Sequence, residues 1–443
     1  MKKIELPDDS PMWHRDFLFG VATSSYQIEG GRHQREDCIW DLFCKKHGAI
    51  SDGADGDIAC RHIEKWRDDA ELIASLGVDA YRLSVCWPRV INDEGTVNEE
   101  GLAFYVELVT WLHNRGIKVF VTLYHWDLPQ CLEDKGGWLN RDTVRAFARY
   151  VDVVASALGD KVHAWATINE PFCSAYLGYE TGVHAPGITG VKNGRQAAHH
   201  ILMAHGIGMK TLRACCPGGI HGIVLNFSTC IAASSSADDI RAAVQADAYH
   251  NQWYLQPVLT GEYPDILLSL APEERPEILP DDMALIRQPL DYLGVNYYSP
   301  TVYRDNGKGS FIAQPPRDVP VTDMGWEIRP EAFTELLVSL HQRYQLPPVY
   351  ITENGAAMHD ILVNDQVHDD DRVAYFHTHL NAVDEAMRQG VDIRGYFAWS
   401  LMDNFEWAFG YSKRFGLVYT DYESGRRIIK QSGFAYKELI TRK

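Results

Sequence analysis

The sequence lacks the signatures of several large functional classes. Neither of the glycine-rich phosphate-binding patterns G-x-G-x-x-G and G-x-x-x-x-G-K-[ST] occurs in it, which disfavours a nucleotide-binding open sheet. No apolar run is long enough to cross a bilayer, since the best segments, such as 118–124, have the length of a strand. Proline and aspartate follow Lys2 and Lys3 where a signal peptide needs an apolar stretch, so we expect a cytoplasmic protein.

Basic residues are also scarce. The chain contains 42 Lys and Arg against 60 Asp and Glu, which gives a formal net charge of −18. Such a surface repels the phosphates of nucleic acids and of anionic lipids. We therefore expect neither nucleic acid nor a membrane among the partners of this protein.

Cysteine and histidine patterns that hold metals or disulfides are missing. The nine cysteines include no C-x-x-C pair, and the adjacent Cys215 and Cys216 have poor geometry for a disulfide. We interpret the cysteines as reduced thiols, most of them buried. His199, His200 and His205 lie close together in a helical stretch, but without the spacing of H-E-x-x-H or a similar ligand set. We expect no metal.

What the sequence does contain is a repeated alternation of strand and helix patterns. Its 443 residues are 46% hydrophobic, which is enough to bury a large core. Amphipathic stretches such as 68–76 and 101–114 follow short β-branched or aromatic runs, and no linker rich in Gly, Ser or Pro divides the chain. The α/β pattern predicts one (β/α)8 TIM barrel over residues 1–443, with long βα loops, rather than a doubly wound sheet. The predicted strands are 17–23, 80–85, 118–124, 163–168, 221–227, 292–297, 349–352 and 395–399.

Two irregular regions flank the sixth predicted strand. Residues 272–289 are rich in proline and acidic residues, and residues 301–317 contain Gly, Pro and Asp. We predict that both are loops, and that the second is placed to cover one mouth of the barrel.

Two of the predicted strands end on a glutamate. Glu170 follows the fourth strand and Glu353 the seventh, at the barrel face where active sites lie. One such glutamate could be an ion-pair residue holding a loop, but two on opposed strands fit the carboxylate pair that cleaves a glycosidic bond. Arg82, Tyr297 and Tyr298 could lower the pKa of the nucleophile, or could equally be an ion-pair residue and core side chains.

Five short motifs are spread along the chain: SSYQIEG at 24–30, YHWDLP at 124–129, TINEP at 167–171, ITENG at 351–355 and WSLMDNFEW at 399–407. Together, and in this order, they resemble glycoside hydrolase family 1, the β-glucosidase family. The resemblance covers the chain nearly end to end. It implies a retaining enzyme in which Glu170 is the acid/base and Glu353 the nucleophile, with carboxyl groups about 5–5.5 Å apart.

The same resemblance implies roles for further residues. Asn169 is expected to donate to the sugar 2-hydroxyl, and Arg82 and Tyr298 to hydrogen-bond the nucleophile. Without the motifs, His125, Trp399 and Trp407 would be read as ordinary core residues. The residues expected to bind the substrate are Gln27, His125, Trp126, Asn169, Tyr298, Trp326, Trp399, Glu406 and Trp407. The positions that match the aglycone side are Cys173, Leu177, His184 and Trp326, the last as a stacking platform.

Glu406 also bears on the substrate. Family members that hydrolyse 6-phosphoglycosides have a serine there, because a carboxylate beside a phosphate would repel it. Glu406 therefore indicates an unphosphorylated sugar, and the nearby Lys413 and Arg414 are read as surface charges. Thioglucoside-cleaving members have glutamine in place of the acid, so Glu170 argues against that activity.

We expect a retaining β-glycosidase that hydrolyses terminal non-reducing β-D-glucosyl residues of small β-glucosides or cello-oligosaccharides, with β-fucosidase and β-galactosidase side activity. The substrate is a small molecule, no cofactor is required, and a homo-oligomer is compatible with the sequence. The alternatives are a catalytically silent sugar-binding barrel and a 6-phospho-β-glycosidase. Residues 32–38 depart from the family pattern; we expect this segment to border the pocket entrance, which leaves chain-length preference open.

Overall fold

The computed structural model describes residues 2–443 and contains a closed barrel of eight parallel strands, which confirms the predicted TIM barrel. Each predicted strand coincides with a barrel strand to within two residues at either end. In chain order the strands are β1 (Leu18–Ala22), β2 (Ala80–Ser84), β3 (Lys118–Tyr124), β4 (Ala164–Asn169), β5 (Ile220–Phe227), β6 (Cys230–Ala232), β7 (Tyr292–Tyr297), β8 (Thr301–Asp305), β9 (Phe311–Ala313), β10 (Val349–Asn354), β11 (Leu362–Val363), β12 (Gln366–Val367), β13 (Ile393–Trp399), β14 (Val418–Thr420) and β15 (Arg427–Ile429).

Around the barrel the order of paired strands is β1, β2, β3, β4, β5, β7, β10 and β13, and β13 pairs with β1 to close it. The helices are α1 (Ser25–Ile28), α2 (Ile39–Phe43), α3 (His62–Ser75), α4 (Trp87–Val90), α5 (Glu99–Asn114), α6 (Gln130–Glu133), α7 (Asp142–Leu158), α8 (Val191–Cys215), α9 (Ala237–Asp247), α10 (Trp253–Thr260), α11 (Ile266–Ser269), α12 (Asp282–Ile286), α13 (Pro330–Arg343), α14 (Asp370–Arg388) and α15 (Gln431–Ile440). None of the helices within residues 2–443 has the length and apolarity needed to cross a membrane.

The α5 helix shows how local sequence sets these boundaries. Asn98 caps its first turn by accepting a hydrogen bond from the Gly101 amide, and Glu99 and Glu100 place negative charge at the positive end of the helix dipole. The chain leaves the helix through Gly116, whose φ of +75° is accessible to glycine at little cost. The helix predicted over 101–114 therefore begins two residues earlier than its apolar periodicity suggested.

Large aromatic side chains fill the interior of the barrel. Phe120 packs against Phe397 and Tyr350 with ring centroids 4.8 and 5.2 Å apart. The strands leave room for these rings with glycine: a Cβ on Gly20 would lie 2.5 Å from the Phe397 ring. Trp399 belongs to the same buried cluster, at the carboxyl end of β13. The packed interior therefore supports a rigid floor at that face of the barrel.

Both regions predicted as loops contain regular structure. Residues 301–317 include β8 and β9, which form a three-stranded sheet with β6. Residues 272–289 include α12, whose Asp282 accepts a hydrogen bond from His199 on α8 at 2.9 Å. Strands of three and five residues are too short to give a clear alternation of apolar and polar positions, and the Gly residues of the turn between them are typical of a loop, which is why the pattern did not predict them.

Candidate active site

A cavity of about 660 Å³ opens at the carboxyl ends of the barrel strands. Glu170, which follows β4, and Glu353, near the end of β10, both line it, as does Trp399. The cavity is within the size range of small-molecule binding sites. The structure thus brings together the two glutamates that the sequence places 183 positions apart.

The carboxylate of Glu353 is held by two donors. Arg82 Nη1 donates to Oε1 at 2.7 Å, and the Tyr298 hydroxyl donates to Oε2 at 2.5 Å. Burial, together with the charge of Glu353, raises the pKa of Tyr298 well above its usual value, so this phenol stays a neutral donor. Two donors on two oxygens fix the plane of this carboxylate.

Glu170 lies in a different environment. Asn296 Nδ2 donates to its Oε1 at 2.7 Å, and the Cys173 thiol donates to its Oε2 at 3.1 Å. Burial first, and then the negative charge of Glu353, raise the pKa of Glu170 to about 8. At neutral pH Glu170 is therefore protonated and can act as an acid.

A hydrogen-bond network connects the two glutamates. Arg82 Nη2 donates to Asn169 Oδ1 at 2.7 Å, and Asn296 Nδ2 lies 3.2 Å from the same oxygen. The Thr352 hydroxyl donates to Asn296 Oδ1 at 2.6 Å, which fixes the orientation of that amide. The amide oxygen of Asn169 is occupied by protein donors, which fixes the orientation of this amide and directs its Nδ2 away from Arg82.

Irregular strand pairing aims these side chains. The β10 strand changes register with β7 between Ile351 and Glu353, and β4 changes register with β5 between Ala166 and Asn169. Glu170 itself has φ +49°, a left-handed conformation that is costly for a non-glycine residue. Such irregularities turn a side chain away from the regular alternation of a strand, here toward the cavity.

The inner part of the cavity combines aromatic rings with polar groups. The His125 ring lies nearly parallel to those of Trp399 and Trp407, with centroids 6.1 and 6.0 Å apart. Asn169 Nδ2 donates to His125 Nε2 at 3.2 Å, and burial followed by the charge of Arg82 lowers the pKa of His125 well below its usual value. A neutral imidazole that accepts at Nε2 carries its proton on Nδ1.

Two polar atoms of this inner region are buried without a hydrogen-bond partner among residues 2–443: His125 Nδ1 and Glu406 Oε2. Both residues line the cavity. Buried polar atoms are almost always satisfied, so unpaired atoms on residues that line a cavity mark these residues as candidates for contact with a ligand. Burial, and the charges of Glu353 and Glu170, raise the pKa of Glu406 to about 8.

Two ion pairs hold the loop after β13, which carries Glu406 and Trp407. Lys430 Nζ donates to Asp403 Oδ1 and Arg414 Nη1 to Asp403 Oδ2, both at 2.7 Å. Gln27 joins the same loop to α1, because its Nε2 donates to the carbonyl of Phe405 at 2.8 Å. Gln27 also lines the cavity. These buried contacts hold the loop in one position.

The outer part of the cavity is mainly aromatic. Trp326 lies against Tyr298, with ring centroids 5.4 Å apart. On the other side, His250 is surrounded by rings, of which Tyr176 is the nearest at 4.8 Å, and burial lowers its pKa to about 3. Trp126, Cys173, Leu177 and His184, which the sequence predicted to be in the site, line the cavity. His250 lines it as well and was not predicted.

Of the two candidate tyrosines, Tyr298 contacts the nucleophile and Tyr297 is a core residue. Tyr297 does not reach Glu353: its ring stacks on Phe333 with centroids 4.3 Å apart, and its hydroxyl donates to the Arg329 carbonyl. Residues 32–38 are not among the residues that line the cavity, and their position at its entrance stays a prediction. A buried pair anchors this segment, because Arg35 donates to both carboxylate oxygens of Asp41, at 2.6 and 2.9 Å.

The main residue that sequence reasoning missed is Asn296, which contacts Glu170. A signal for it exists in the alternation of β7: Tyr292, Gly294 and Asn296 share one face of the strand, and Tyr292 belongs to the buried cluster inside the barrel. A polar residue at the carboxyl end of the inward face of a barrel strand is a site candidate.

An eight-stranded parallel barrel with two buried, differently tuned carboxyl groups in one cavity is typical of glycoside hydrolases. Residues 10–443 match the sequence profile of Glycosyl hydrolase family 1. The chain belongs to this family.

Known proteins of this family are similar over nearly the whole chain. A β-glucosidase of Agrobacterium sp. is 44% identical over 434 residues, which cover 96% of this chain and 95% of that protein. A bifunctional β-D-glucosidase/β-D-fucosidase of Bifidobacterium breve is 43% identical over 457 residues, covering 96% and 97%. The structure of a family 1 β-glucosidase from Thermotoga maritima in complex with isofagomine lactam superposes with a TM-score of 0.94, at 42% identity and 99% coverage of both chains.

Proposed function

We propose that this protein is a retaining β-glucosidase in which Glu353 is the nucleophile and Glu170 the acid/base. The observation that carries the proposal is the contrast between the two carboxyl groups. Glu353 is surrounded by the donors Arg82 and Tyr298, whereas burial and the charge of Glu353 keep Glu170 protonated. One ionised and one protonated carboxyl is the combination that a retaining glycosidase needs for its first step.

In the first step, Glu353 attacks the anomeric carbon as the bond to the leaving oxygen breaks, and Glu170 gives its proton to that oxygen. The negative charge of Glu353 disappears as the covalent glycosyl ester forms. The charge repulsion that raised the pKa of Glu170 disappears with it, so Glu170 becomes a base. In the second step it takes a proton from water, which attacks the anomeric carbon and releases glucose with retained configuration.

The inner cavity fits a glucosyl unit. Trp399 offers an apolar face below the sugar ring, while His125 and Glu406, which line the cavity and carry unpaired polar atoms, are the proposed partners of its hydroxyl groups. Asn169 keeps the role of donor to the 2-hydroxyl in this proposal, supported by its position next to Glu170 and by the bond from Arg82 that fixes its amide oxygen. These roles are proposals that rest on the contacts above.

The substrates that we propose are small β-glucosides and cello-oligosaccharides, with side activity on β-fucosides and β-galactosides. The similarity to an enzyme named as both glucosidase and fucosidase supports this range. The aromatic outer cavity around Trp326 supports binding of apolar aglycones as well as a second sugar. A role in cellulose breakdown, a cytoplasmic location and self-association stay predictions from the sequence.

Proton NMR of the first-formed sugar tests the mechanism. We expect the β-anomer of glucose to appear first when an aryl β-glucoside is hydrolysed, and a 2-deoxy-2-fluoro glucoside to label Glu353, as read by mass spectrometry of peptides. An α-anomer formed first would show inversion and overturn the proposal. Failure to turn over any aryl β-glucoside would instead favour a silent sugar-binding barrel.

Discrimination against phosphorylated sugars gives a second test. No Lys or Arg of residues 2–443 lines the cavity, and the two nearby cations are occupied, Lys413 by Asp323 and Arg414 by Asp403. A cation 4 Å from the phosphate would contribute about 4 kcal/mol near a protein surface, or about 10³-fold in binding, and the cavity supplies no such cation. We expect kcat/KM for 4-nitrophenyl β-glucoside 6-phosphate to be about 10³-fold below that for the unphosphorylated compound.

The variant Glu406→Ser should reduce the ratio of kcat/KM between the unphosphorylated and the phosphorylated substrate at least about tenfold. The main cause should be weaker binding of the unphosphorylated sugar. The exposed Glu335 provides a matched control, since Glu335→Ser should leave the ratio unchanged. Higher activity of the wild-type enzyme on the phosphorylated substrate would identify it as a 6-phospho-β-glycosidase.

A further inference from the structure

The two oxygens of the proposed acid/base are held by donors of different kinds. Oε1 of Glu170 accepts from the amide Nδ2 of Asn296 at 2.7 Å, and Oε2 accepts from the thiol of Cys173 at 3.1 Å. Cys173 follows Glu170 by three residues and begins a π-helical turn, Cys173–Leu177. Such turns often occur at functional sites. The turn places the sulfur on the cavity wall beside the carboxyl group.

The Asn296 contact cannot reverse. The amide oxygen of Asn296 accepts from the Thr352 hydroxyl at 2.6 Å, so its Nδ2 faces Glu170 and can only donate. A proton on Oε1 of Glu170 would point at the N–H group of Asn296 and be repelled by it. The acidic proton of Glu170 must therefore sit on Oε2, the oxygen beside Cys173.

A thiol suits this position because its hydrogen can rotate. When Glu170 is ionised, the S–H can point at Oε2 and stabilise the charge; when Oε2 carries a proton, the S–H can turn away and leave that proton free for the leaving oxygen. Burial, followed by the charge of Glu170, raises the pKa of Cys173 well above its usual value. The sulfur therefore remains a thiol donor and does not act as a nucleophile.

We propose that Cys173 is a positioning residue that holds the proton-carrying oxygen of Glu170 and favours its ionised form in the second step of the reaction. The inference rests on the proposed retaining mechanism and extends it to a residue outside the glutamate pair. It predicts that loss of the thiol affects the base step more than the acid step, because the S–H donates only to the ionised carboxylate.

Other charged or titratable groups around this contact lie on several elements and are unchanged in the variants considered below. They are Glu353 on β10, Arg82 on β2, Glu406 in the loop after β13 and Tyr254 on α10. A shift caused by replacement of Cys173 can then be assigned to the lost thiol.

The test compares Cys173→Ala and Cys173→Val, which lack a donor, with Cys173→Ser, which keeps one. In Cys173→Ala and Cys173→Val we expect the basic limb of kcat/KM to move to higher pH by about half a pH unit. The reason is that ionised Glu170 loses a hydrogen-bond donor, which raises its pKa. We expect kcat for 2,4-dinitrophenyl β-glucoside, which reports the base step, to fall about fivefold. Ser should restore both quantities.

The control is Cys216→Ala. Cys216 is as exposed as Cys173, each at 8%, but lies outside the cavity with its thiol on the Ala155 carbonyl. The variant Cys216→Ala should change neither the basic limb of kcat/KM nor kcat for the dinitrophenyl substrate. If the basic limb of kcat/KM does not move in Cys173→Ala and Cys173→Val, and the acid and base steps lose the same activity, Cys173 only fills space. That result would overturn the inference. The proposed function fails separately, on the anomer and labelling results of the wild-type enzyme.

Discussion

Replacement of Glu353 by glutamine is expected to lower kcat by about 10⁵-fold or more on every β-glucoside, while the folded structure is retained. Glutamine has the shape of the carboxylate but cannot form the glycosyl ester. Its amide would also place a donor against Arg82 and Tyr298, which both donate to this position. The loss should therefore appear with activated and unactivated substrates alike. Steady-state kinetics and circular dichroism measure the two parts of the prediction.

The variant Glu353→Gly distinguishes a lost nucleophile from a damaged site. Removal of the side chain leaves space in which azide can attack the anomeric carbon from the face that Glu353 occupied. We expect azide to restore turnover of 2,4-dinitrophenyl β-glucoside and to yield the α-glucosyl azide, identified by NMR. Glu335→Gln, on the exposed side of α13, is the control and should keep full activity. Normal turnover in Glu353→Gln would remove Glu353 from the mechanism.

Much of the barrel could be predicted because buried parallel strands have a strong local pattern. Runs such as 118–124 are continuously apolar, and helices such as α5 carry a cap and a glycine at their ends. The strands within residues 301–317 could not be predicted because β8 pairs with β6, about 70 positions away in the sequence, and β9 in turn pairs with β8. Pairing at that distance leaves no local periodicity to detect.

The glutamates could be predicted from their place at strand ends, and the residues around them largely through resemblance to a family. The contacts that set their chemistry could not. Whether Asn296 faces Glu170 depends on the alternation along β7 and on the shifted register of β10 beside it. Whether the Cys173 thiol reaches Oε2 depends on a π-helical turn, which the apolar periodicity of the sequence did not predict.

The tyrosine pair shows the same division. Tyr297 and Tyr298 are adjacent, equally aromatic and equally close to the end of β7, so composition cannot rank them. The alternation of side chains along the strand separates them: Tyr298 faces the cavity and donates to Glu353, while Tyr297 faces outward and stacks on Phe333. A register shift of one residue would have exchanged their roles.

Replacement of Glu170 by alanine should have an effect that depends on the leaving group. Dinitrophenolate departs without a proton, so the first step should stay within about tenfold of the wild-type rate for 2,4-dinitrophenyl β-glucoside. For an alkyl β-glucoside or cellobiose, whose leaving oxygen needs the proton, we expect kcat/KM to fall about 10³-fold. Measurement of kcat/KM across aryl glucosides of graded leaving-group pKa should give a steeper dependence in the variant.

The pH dependence and the second step check the same assignment. Glu170 must be protonated for the first step, so the wild-type kcat/KM should be full below its pKa and lost as pH rises through about 8. That limb should be absent in Glu170→Ala. Water attack without a base becomes slow, so kcat for the dinitrophenyl substrate should drop and be restored by azide, with the β-glucosyl azide as product. Equal losses for good and poor leaving groups, or an unchanged basic limb, would contradict the role of Glu170, because another group would then supply the proton.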